Sequence, residues 1–451
     1  MLKSVASARS FYSCVLSLIN MNQFDVNAAR EFSIQVIRRL KEKGHQALWA
    51  GGCVRDQLVG RVPHDYDVAT DAEPKRIREI FGHNRTLAIG ESFGVITVLG
   101  GKKAGQIEVA TFREDLGYTD GRRPDAVRFS SAELDAQRRD FTINGLFFDP
   151  LTNETHDFVG GRKDLHDGLV RAIGNPNERI AEDKLRMLHA VRFASTFGFQ
   201  LQQNTYNAVR RHSESIHVVS AERIAMEMRK MLVHTSREQA VVMLRDVGLL
   251  SELLPELDNV AGHALRWCET MAVIRELNQC SFSTALAALL RFTALRGLAE
   301  NCDPRKVLEP VASICSRWKL TNAETKDTQW LLRHERLIRF AHQLPWPKLQ
   351  RVLIDPRIDQ LLQLATAINF AKGDLTAGIQ LAKEKLRLPK KQLNPELLVT
   401  GDDLIKSGLK PGKHFRQLLE ELRDRQLMGQ LTSAAEAIDF AKNFDPATIA
   451  E

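Results

Sequence analysis

Residues 48–70 read LWAGGCVRDQLVGRVPHDYDVAT, and the rest of the chain is organised around them. The apolar run Leu48 to Ala50 predicts a short strand that breaks at Gly51-Gly52. A helical turn around Val54 to Leu58, a reversal near Gly60 and Pro63, and a return strand over Tyr66 to Thr70 follow. Residues two apart on a strand face one side, so Asp65 and Asp67 converge on one point in space while Tyr66 faces away.

Paired carboxylates of this kind hold hard divalent cations. Their oxygens suit Mg2+, and two of them leave coordination positions for water and substrate phosphates. The adjacent Gly51-Gly52 lets backbone N–H groups approach an anion with no side chain in the way, and Arg55 adds a planar positive fork for phosphate oxygens. Together these residues describe a metal-dependent phosphoryl or nucleotidyl transfer site. Taken singly, Gly-Gly is also an ordinary turn and the aspartates a solvated strand end, so the flanking sequence has to decide.

Upstream, Ala28, Phe32, Ile34, Val36, Ile37 and Leu40 mark an amphipathic helix over Asn27 to Lys43 that Gly44 stops. Downstream, Pro74 to Phe81 reads as a surface helix with proline in its first turn, and Ser92 to Leu99 and Gln106 to Phe112 read as strands. In the second strand Ile107, Val109 and Thr111 alternate with Glu108 and Ala110. Glu108 is therefore either a third carboxylate beside the aspartates or a solvent-facing residue on an edge strand. Arg113 to Ser130 is polar, contains glycine and lacks periodicity, which predicts a mobile loop able to gate a nucleotide site. In Arg138 to Leu146, RRDFTINGL, the two arginines can meet phosphates, and Asp140 and Asn144 can bond ribose hydroxyls or a base; Asp140 as a helix cap is the other reading.

Beyond Gly168 strand signals fade and helical periodicity runs to the C-terminus. On the helix expected over Glu182 to Phe193, EDKLRMLHAVRF, Asp183 and Arg186 stand three apart and share a face, as a surface ion pair or as a base reader. One carboxylate and one guanidinium fit cytosine and adenine alike, since both bases offer an exocyclic amine and a ring nitrogen; guanine and uracil present the opposite pattern.

Composition sets the outer bounds. A chain of 451 residues exceeds one compact core, and 43% apolar with 26% charged residues is ordinary for a globular protein. No apolar run reaches the roughly 18 residues of a membrane span, and a net charge of +7 leans toward a polyanionic partner. The six cysteines, Cys14, Cys53, Cys268, Cys280, Cys302 and Cys315, show no CxxC or zinc-type spacing and read as reduced thiols of a cytoplasmic protein. The first twenty residues carry Lys3, Arg9 and no acid, and read as a leader or a disordered extension ahead of Met21.

In this order, GGCVRDQLVG with DYD, IEVATFR, RRDFTING, DFVGGRKDL, EDKLRMLHAVRF and SAERIAMEM resemble the class II tRNA nucleotidyltransferase and bacterial poly(A) polymerase superfamily over roughly Ala47 to Leu232. The resemblance implies an α+β nucleotidyltransferase head with a small mixed sheet, followed by an all-helical neck, body and tail. The corresponding divisions are a leader at 1–22, head at 23–167, neck at 168–257, body at 258–380 and tail at 381–451. It implies two Mg2+ ions on Asp65 and Asp67; Glu108, on the strand reading above, is the candidate third catalytic carboxylate. Nucleotide contacts would come from Gly51, Gly52, Arg55, Arg139, Asp140, Asn144, Asp183, Arg186 and Arg192. Arg223, Arg229, Lys230 and Arg237 would line a groove for the tRNA acceptor stem. The implied activity is addition of C, C and A to tRNA 3′ ends from CTP and ATP; poly(A) synthesis and CC-only or A-only addition are the near alternatives. No membrane and no obligatory protein partner are implied.

Three departures stand out. His189 replaces a usual arginine, and Gly145 replaces a usual alanine, a change expected to loosen packing. Arg291 and Phe292 stand where many relatives carry the His-Asp pair of a phosphohydrolase, so no hydrolase activity is expected there. Trp267, Trp318 and Trp330 read as core anchors, and Lys383 to Lys391 as a basic linker.

Overall fold

The computed structural model describes residues 25–117, 124–295, 308–412 and 414–444. The expected leader lies outside the described residues. Contacts divide the chain into two compact units, one running to Glu227 with Ala240–Glu252 added, the other formed by Met228–Gln239 and the chain from Leu253 onward.

The first unit is built on a sheet whose strands are β1 (Ala47–Ala50), β2 (Val68–Thr70), β3 (Thr86–Gly90), β4 (Val95–Leu99), β5 (Gln106–Thr111), β8 (Leu146–Asp149) and β9 (Glu154–Asp157). They are ordered β3-β4-β5-β2-β1-β8-β9, and every neighbour is antiparallel except β2 with β5, so the sheet is mixed as expected. Helix α1 (Val26–Glu42) starts where the Asp25 carboxylate accepts the Asn27 N–H at 2.9 Å, and it buries Ala29, Ser33, Val36, Ile37 and Leu40 along one stripe. With α3 (Pro74–Phe81), whose bounds match the expectation, it covers one sheet face over Trp49, Val68, Ile96, Ile107 and Val109. The Trp49 indole N–H is satisfied by the Ser33 hydroxyl at 2.9 Å, which lets the largest side chain of this core stay fully buried. On the opposite face Leu48, Ala50, Ala69 and Phe147 pack under Ala132 and Ala136 of α4 (Ala132–Gln137).

Two expectations, a loop over Arg113 to Ser130 and helix alone beyond Gly168, fail here. Arg113 to Ser130 is not a loop throughout: β6 (Arg113–Leu116) and β7 (Ala126–Phe129) pair antiparallel from Arg113 opposite Phe129 to Leu116 opposite Ala126, flanking residues 118–123, which lie outside the described part. A two-stranded ribbon satisfies its backbone through its partner and needs no buried face, so its strands carry no apolar alternation to read; the Glu114–Arg128 pair at 2.6 Å lies across it. Beyond Gly168, β10 (Leu169–Val170) and β11 (Gln200–Leu201) form a short parallel ladder amid helices, too brief for a periodic signal.

From α5 (Gly161–Asp167) onward the first unit adds α6 (Pro176–Glu182), α7 (Arg186–Phe197), α8 (Gln203–His212) and the start of α9 (Ala221–Val233). The second unit is helical. Its helix Phe282–Leu295 buries Ala285 through Leu290, and Arg291 on it is itself buried, paired with Glu269 at 2.6 Å. Arg237, expected on an RNA groove, is completely buried. Its guanidinium donates to the carbonyls of Leu232, Val233, Ile274, Leu277 and Asn278, closing the ends of two helices whose last carbonyls lack intrahelical partners. Of the three tryptophans only Trp318 is a core anchor; Trp267 and Trp330 are half-buried, and Trp330 lies against His334 and Arg357. The expected basic linker is the end of helix Ala377–Leu386 followed by the turn Lys390–Leu393. The tail has its own small core of Val399, Leu404, Leu418, Leu422, Leu431 and Ala437. Among the described residues no helix is long and apolar enough to cross a membrane.

Candidate nucleotidyl-transfer site

Asp65 and Asp67 do not lie within a strand, as expected, but on the extended approach to β2, which begins at Val68. The alternation survives. The Ala50 N–H donates to the Asp67 carbonyl at 3.0 Å, Tyr66 is buried against the Trp49 ring with centroids 4.9 Å apart, and both aspartates are exposed. The parallel register pairs Val68 with Val109, so one step back along the ladder Glu108 comes beside Asp67. The Asp67 carboxyl is pushed up to about 7, by lost solvation first, then by the charges of Glu108 and Asp65, against the pull of Arg139. A cation bound here would relieve the repulsion from those two like charges. All donors here are hard oxygens, which fits a divalent cation. Among the described residues no three His, Cys, Asp or Glu side chains are grouped closely enough to enclose a metal. Cys53 sits beneath, its thiol pushed up to about 12 by burial and then by Asp67, and it donates to the Ala50 carbonyl at 3.4 Å; it stays a neutral thiol.

The turn into α2 (Gly52–Leu58) needs glycine at Gly51, with φ +73°, and a Cβ there would come within 2.8 Å of the Arg139 guanidinium. Arg139 therefore lies across the turn. The Gly51 N–H is taken by the Leu146 carbonyl at 3.2 Å, so the amides on offer to an anion are those of the first turn of α2, starting at Gly52. Arg55 is buried, bonding Asn144 at 2.6 Å and Asp56 at 2.7 Å, with the Phe193 and Phe197 rings 5.0 and 4.7 Å away. Arg138 and Arg139 share one buried carboxylate, Asp135, at 2.7 and 3.0 Å. Burial opposes ionisation of Asp135, and the two arginines nonetheless hold it below the ordinary range. Sequence reasoning passed over Asp135, although its three- and four-residue spacing to the arginines on a helix end was a usable signal.

Asp140 is not a helix cap. It accepts the Asn144 side-chain amide at 2.9 Å and the Phe141 N–H at 2.8 Å, and faces His189 at 3.7 Å. Burial works against its charge, and the nearby His189 ring with the bonds from Asn144 and Phe141 holds it well below the usual carboxylate range. His189 stands between Asp140 and the buried Glu227, whose carboxylate is 3.8 Å away and also takes Arg192 at 2.5 Å. Glu227, too, escaped the sequence reading.

The expected single helix over Glu182 to Phe193 is broken. α6 ends at Glu182, Asp183 takes an extended backbone, and α7 begins at Arg186. Asp183 and Arg186 therefore share no helix face, and the Arg186 backbone N–H donates to the Asp183 carbonyl at 3.0 Å. The Asp183 carboxylate receives a two-pronged bond from Arg223, at 2.7 and 3.2 Å, and the Leu185 N–H at 3.0 Å; Arg186 bonds Glu182 at 2.5 Å and the Arg179 carbonyl at 2.8 Å. Asp183 bonding the N–H two residues on is a local turn that competes with the helix. The Gly145 expectation also needs correcting: a methyl there would approach Val159 to 2.7 Å and Ile173 to 3.2 Å, so the missing Cβ is filled by neighbours and packing is tight. In the second unit, Arg229 pairs with Glu324 at 2.7 Å over the Phe282 ring, and Lys230 is exposed.

Three family models match in succession. Residues 47–171 match "Poly A polymerase head domain", residues 198–260 match "Probable RNA and SrmB- binding site of polymerase A", and residues 305–441 match tRNA nucleotidyltransferase domain 2. The CCA-adding enzyme of Lactobacillus helveticus is 31% identical over 408 residues, covering 90% of this chain and 95% of the relative. That of Enterococcus faecalis is 30% identical, covering 90% and 94%. Among solved structures, the Bacillus stearothermophilus CCA-adding enzyme in complex with CTP superposes with a TM-score of 0.70 at 25% identity, covering 92% of this chain and 97% of that one. With head, RNA-binding and second-domain models in order and a relative this similar along most of its length, the chain belongs to the CCA-adding enzyme family.

Proposed function

We propose that this chain adds C, C and A to tRNA 3′ ends from CTP and ATP without a nucleic-acid template. The observation that carries the reading is the crowding of Asp65, Asp67 and Glu108 beside the Gly51 turn, in the same unit as Asp183 and Arg186. Asp65 and Asp67 would hold Mg2+, which supplies Lewis-acid stabilisation for attack of the terminal 3′-hydroxyl on the α-phosphorus and for the departing pyrophosphate. Arg139, lying across Gly51, and the amides at the start of α2 are placed to take triphosphate oxygens. Asn144 and Asp140 offer a donor and an acceptor to the ribose. A carboxylate accepts more bonds than Arg223 and Leu185 give Asp183, so Asp183 can also take the exocyclic amine of cytosine or adenine while Arg186 meets the ring nitrogen. Arg223, committed to Asp183, is assigned to holding that carboxylate; Arg192, committed to Glu227, acts from the edge of the nucleotide site; Arg229 and Lys230 are assigned to tRNA phosphates.

We also assign the head to 23–167, neck to 168–257, body to 258–380 and tail to 381–451, and a cytoplasmic setting, with which the free thiols of Cys53, Cys268, Cys280 and Cys315 agree. Extension of tRNA transcripts ending before CCA, after C and after CC, with CTP, ATP or both, tests the function. Ordered growth that stops at CCA on all three is expected. Growth on one transcript class alone would make it a split enzyme, and an unbounded run of A a poly(A) polymerase.

A further inference from the structure

We infer that Arg61 and Phe197, which the proposed function leaves unused, are positioning residues that set the spacing between its metal-binding and base-reading ends. They form the outer part of a stack in which cations and rings alternate. Arg61 lies 4.4 Å from the Phe197 ring centre, Arg55 lies 4.7 Å from that same ring and 5.0 Å from Phe193, and Arg192 lies 4.2 Å from Phe193. The sequence of contacts is thus Arg61, Phe197, Arg55, Phe193, Arg192, running from the loop after α2 to the base-reading helix α7.

Each member is also tied to something the reaction uses. Arg61 donates to the Thr196 carbonyl at 3.0 Å and begins the short loop that leads to Asp65. Arg55 bonds Asn144, and Arg192 bonds Glu227 at 2.5 Å. Phe193 and Phe197 project from α7, whose other end opens at Arg186, three residues after Asp183. A bound nucleotide has to place its α-phosphate at the aspartates and its base at Asp183 and Arg186 together, so the distance between the two ends decides whether the reacting atoms line up. Rings faced by guanidinium groups resist sliding without adding a charge to the site, and each such contact at a half-exposed position is worth about a two- to fivefold factor. Arg61 is exposed and Phe197 half-buried, so both can be changed without opening the core.

The inference rests on the proposed function, and the wild type separates the two: if it extends no tRNA transcript, that function falls and this inference with it. If it does, kcat per active site and KM for CTP and ATP are measured for Phe197→Leu, Phe197→Tyr and Arg61→Gln beside their thermal midpoints. The expected result is a kcat about tenfold lower in Phe197→Leu with KM changed less than about twofold, recovery in Phe197→Tyr, which keeps the ring face, and a fall of about threefold in Arg61→Gln. A purely structural ring would lower the midpoint and the fraction of active sites while leaving kcat per site intact. That result, an unchanged kcat in Arg61→Gln, or a Phe197→Tyr enzyme as slow as Phe197→Leu overturns the proposal. Should Phe197→Leu not fold, the exposed Arg61→Gln decides alone.

Discussion

The two ends of the proposed nucleotide site are held by opposite means. At the β2 end, Asp67 stands beside Asp65 and Glu108, and lost solvation together with these like charges lifts its carboxyl to about 7. At the α7 end each acid faces an arginine: Asp183 takes Arg223, Glu182 takes Arg186 and Arg179, and Glu227 takes Arg192. Carboxylates kept together against their repulsion lose stability in the empty protein and regain it when a cation arrives, whereas carboxylates locked to arginines keep a fixed shape whether or not substrate is bound. The first arrangement suits binding a metal, and the second suits reading a base.

Several substitutions would break or sharpen this contrast. The largest effect is expected at the crowded end, where Asp65→Ala or Asp67→Ala should abolish nucleotide addition while tRNA binding persists in a filter or mobility assay. The conservative Asp67→Asn, in chelator, should raise the thermal midpoint by relieving repulsion. A lowered midpoint would show that the crowding carries no strain. At the paired end the sign should reverse: Asp183→Ala strands the half-buried Arg223 guanidinium and should cost about 1–3 kcal/mol of stability. It should also admit UTP, read as misincorporation on a transcript ending in CC, more than it weakens triphosphate binding.

A smaller effect should appear with pH. The Asp140 carboxyl titrates below its ordinary range in the folded protein, so its contribution is fully present above the unfolded value near 4 and is lost as pH falls through the folded one. Denaturant titrations of wild type should therefore lose stability below about pH 4 more steeply than those of Asp140→Asn; parallel curves would remove the His189 approach and the Asn144 bond from the account. The smallest effect on activity is expected for Gly145→Ala, which should cost about 1–3 kcal/mol of stability through its approach to Val159 and leave kcat unchanged.

Much of the head was legible because its signals are local. Pro74 at a first turn gave α3 to the residue, and the alternation of Ile107, Glu108 and Val109 gave both the strand and the side on which Glu108 lies. Tyr66 inward with Asp65 and Asp67 outward follows from the two-residue period, even though the ladder itself starts one residue later. What escaped depended on partners distant along the chain. The polar β6–β7 ribbon needs only each strand's complement, and Arg237 is buried because helix-end carbonyls far from it in sequence converge on its guanidinium.

The sequence by itself determined which residues could do the chemistry: two aspartates two positions apart, a Gly-Gly turn, an arginine-rich RRDFTING and an EDKLR segment, in an order that pointed to one superfamily. Only the tertiary structure decided which of those charges are already spoken for. It locked Asp183 to Arg223 across forty residues, sank Arg55 between two rings, buried Arg237 and left Asp67 crowded by Glu108 from another strand. The reason is physical: residue type and spacing fix what a side chain can donate or accept, while its charge state and availability depend on neighbours that folding brings within a few ångströms.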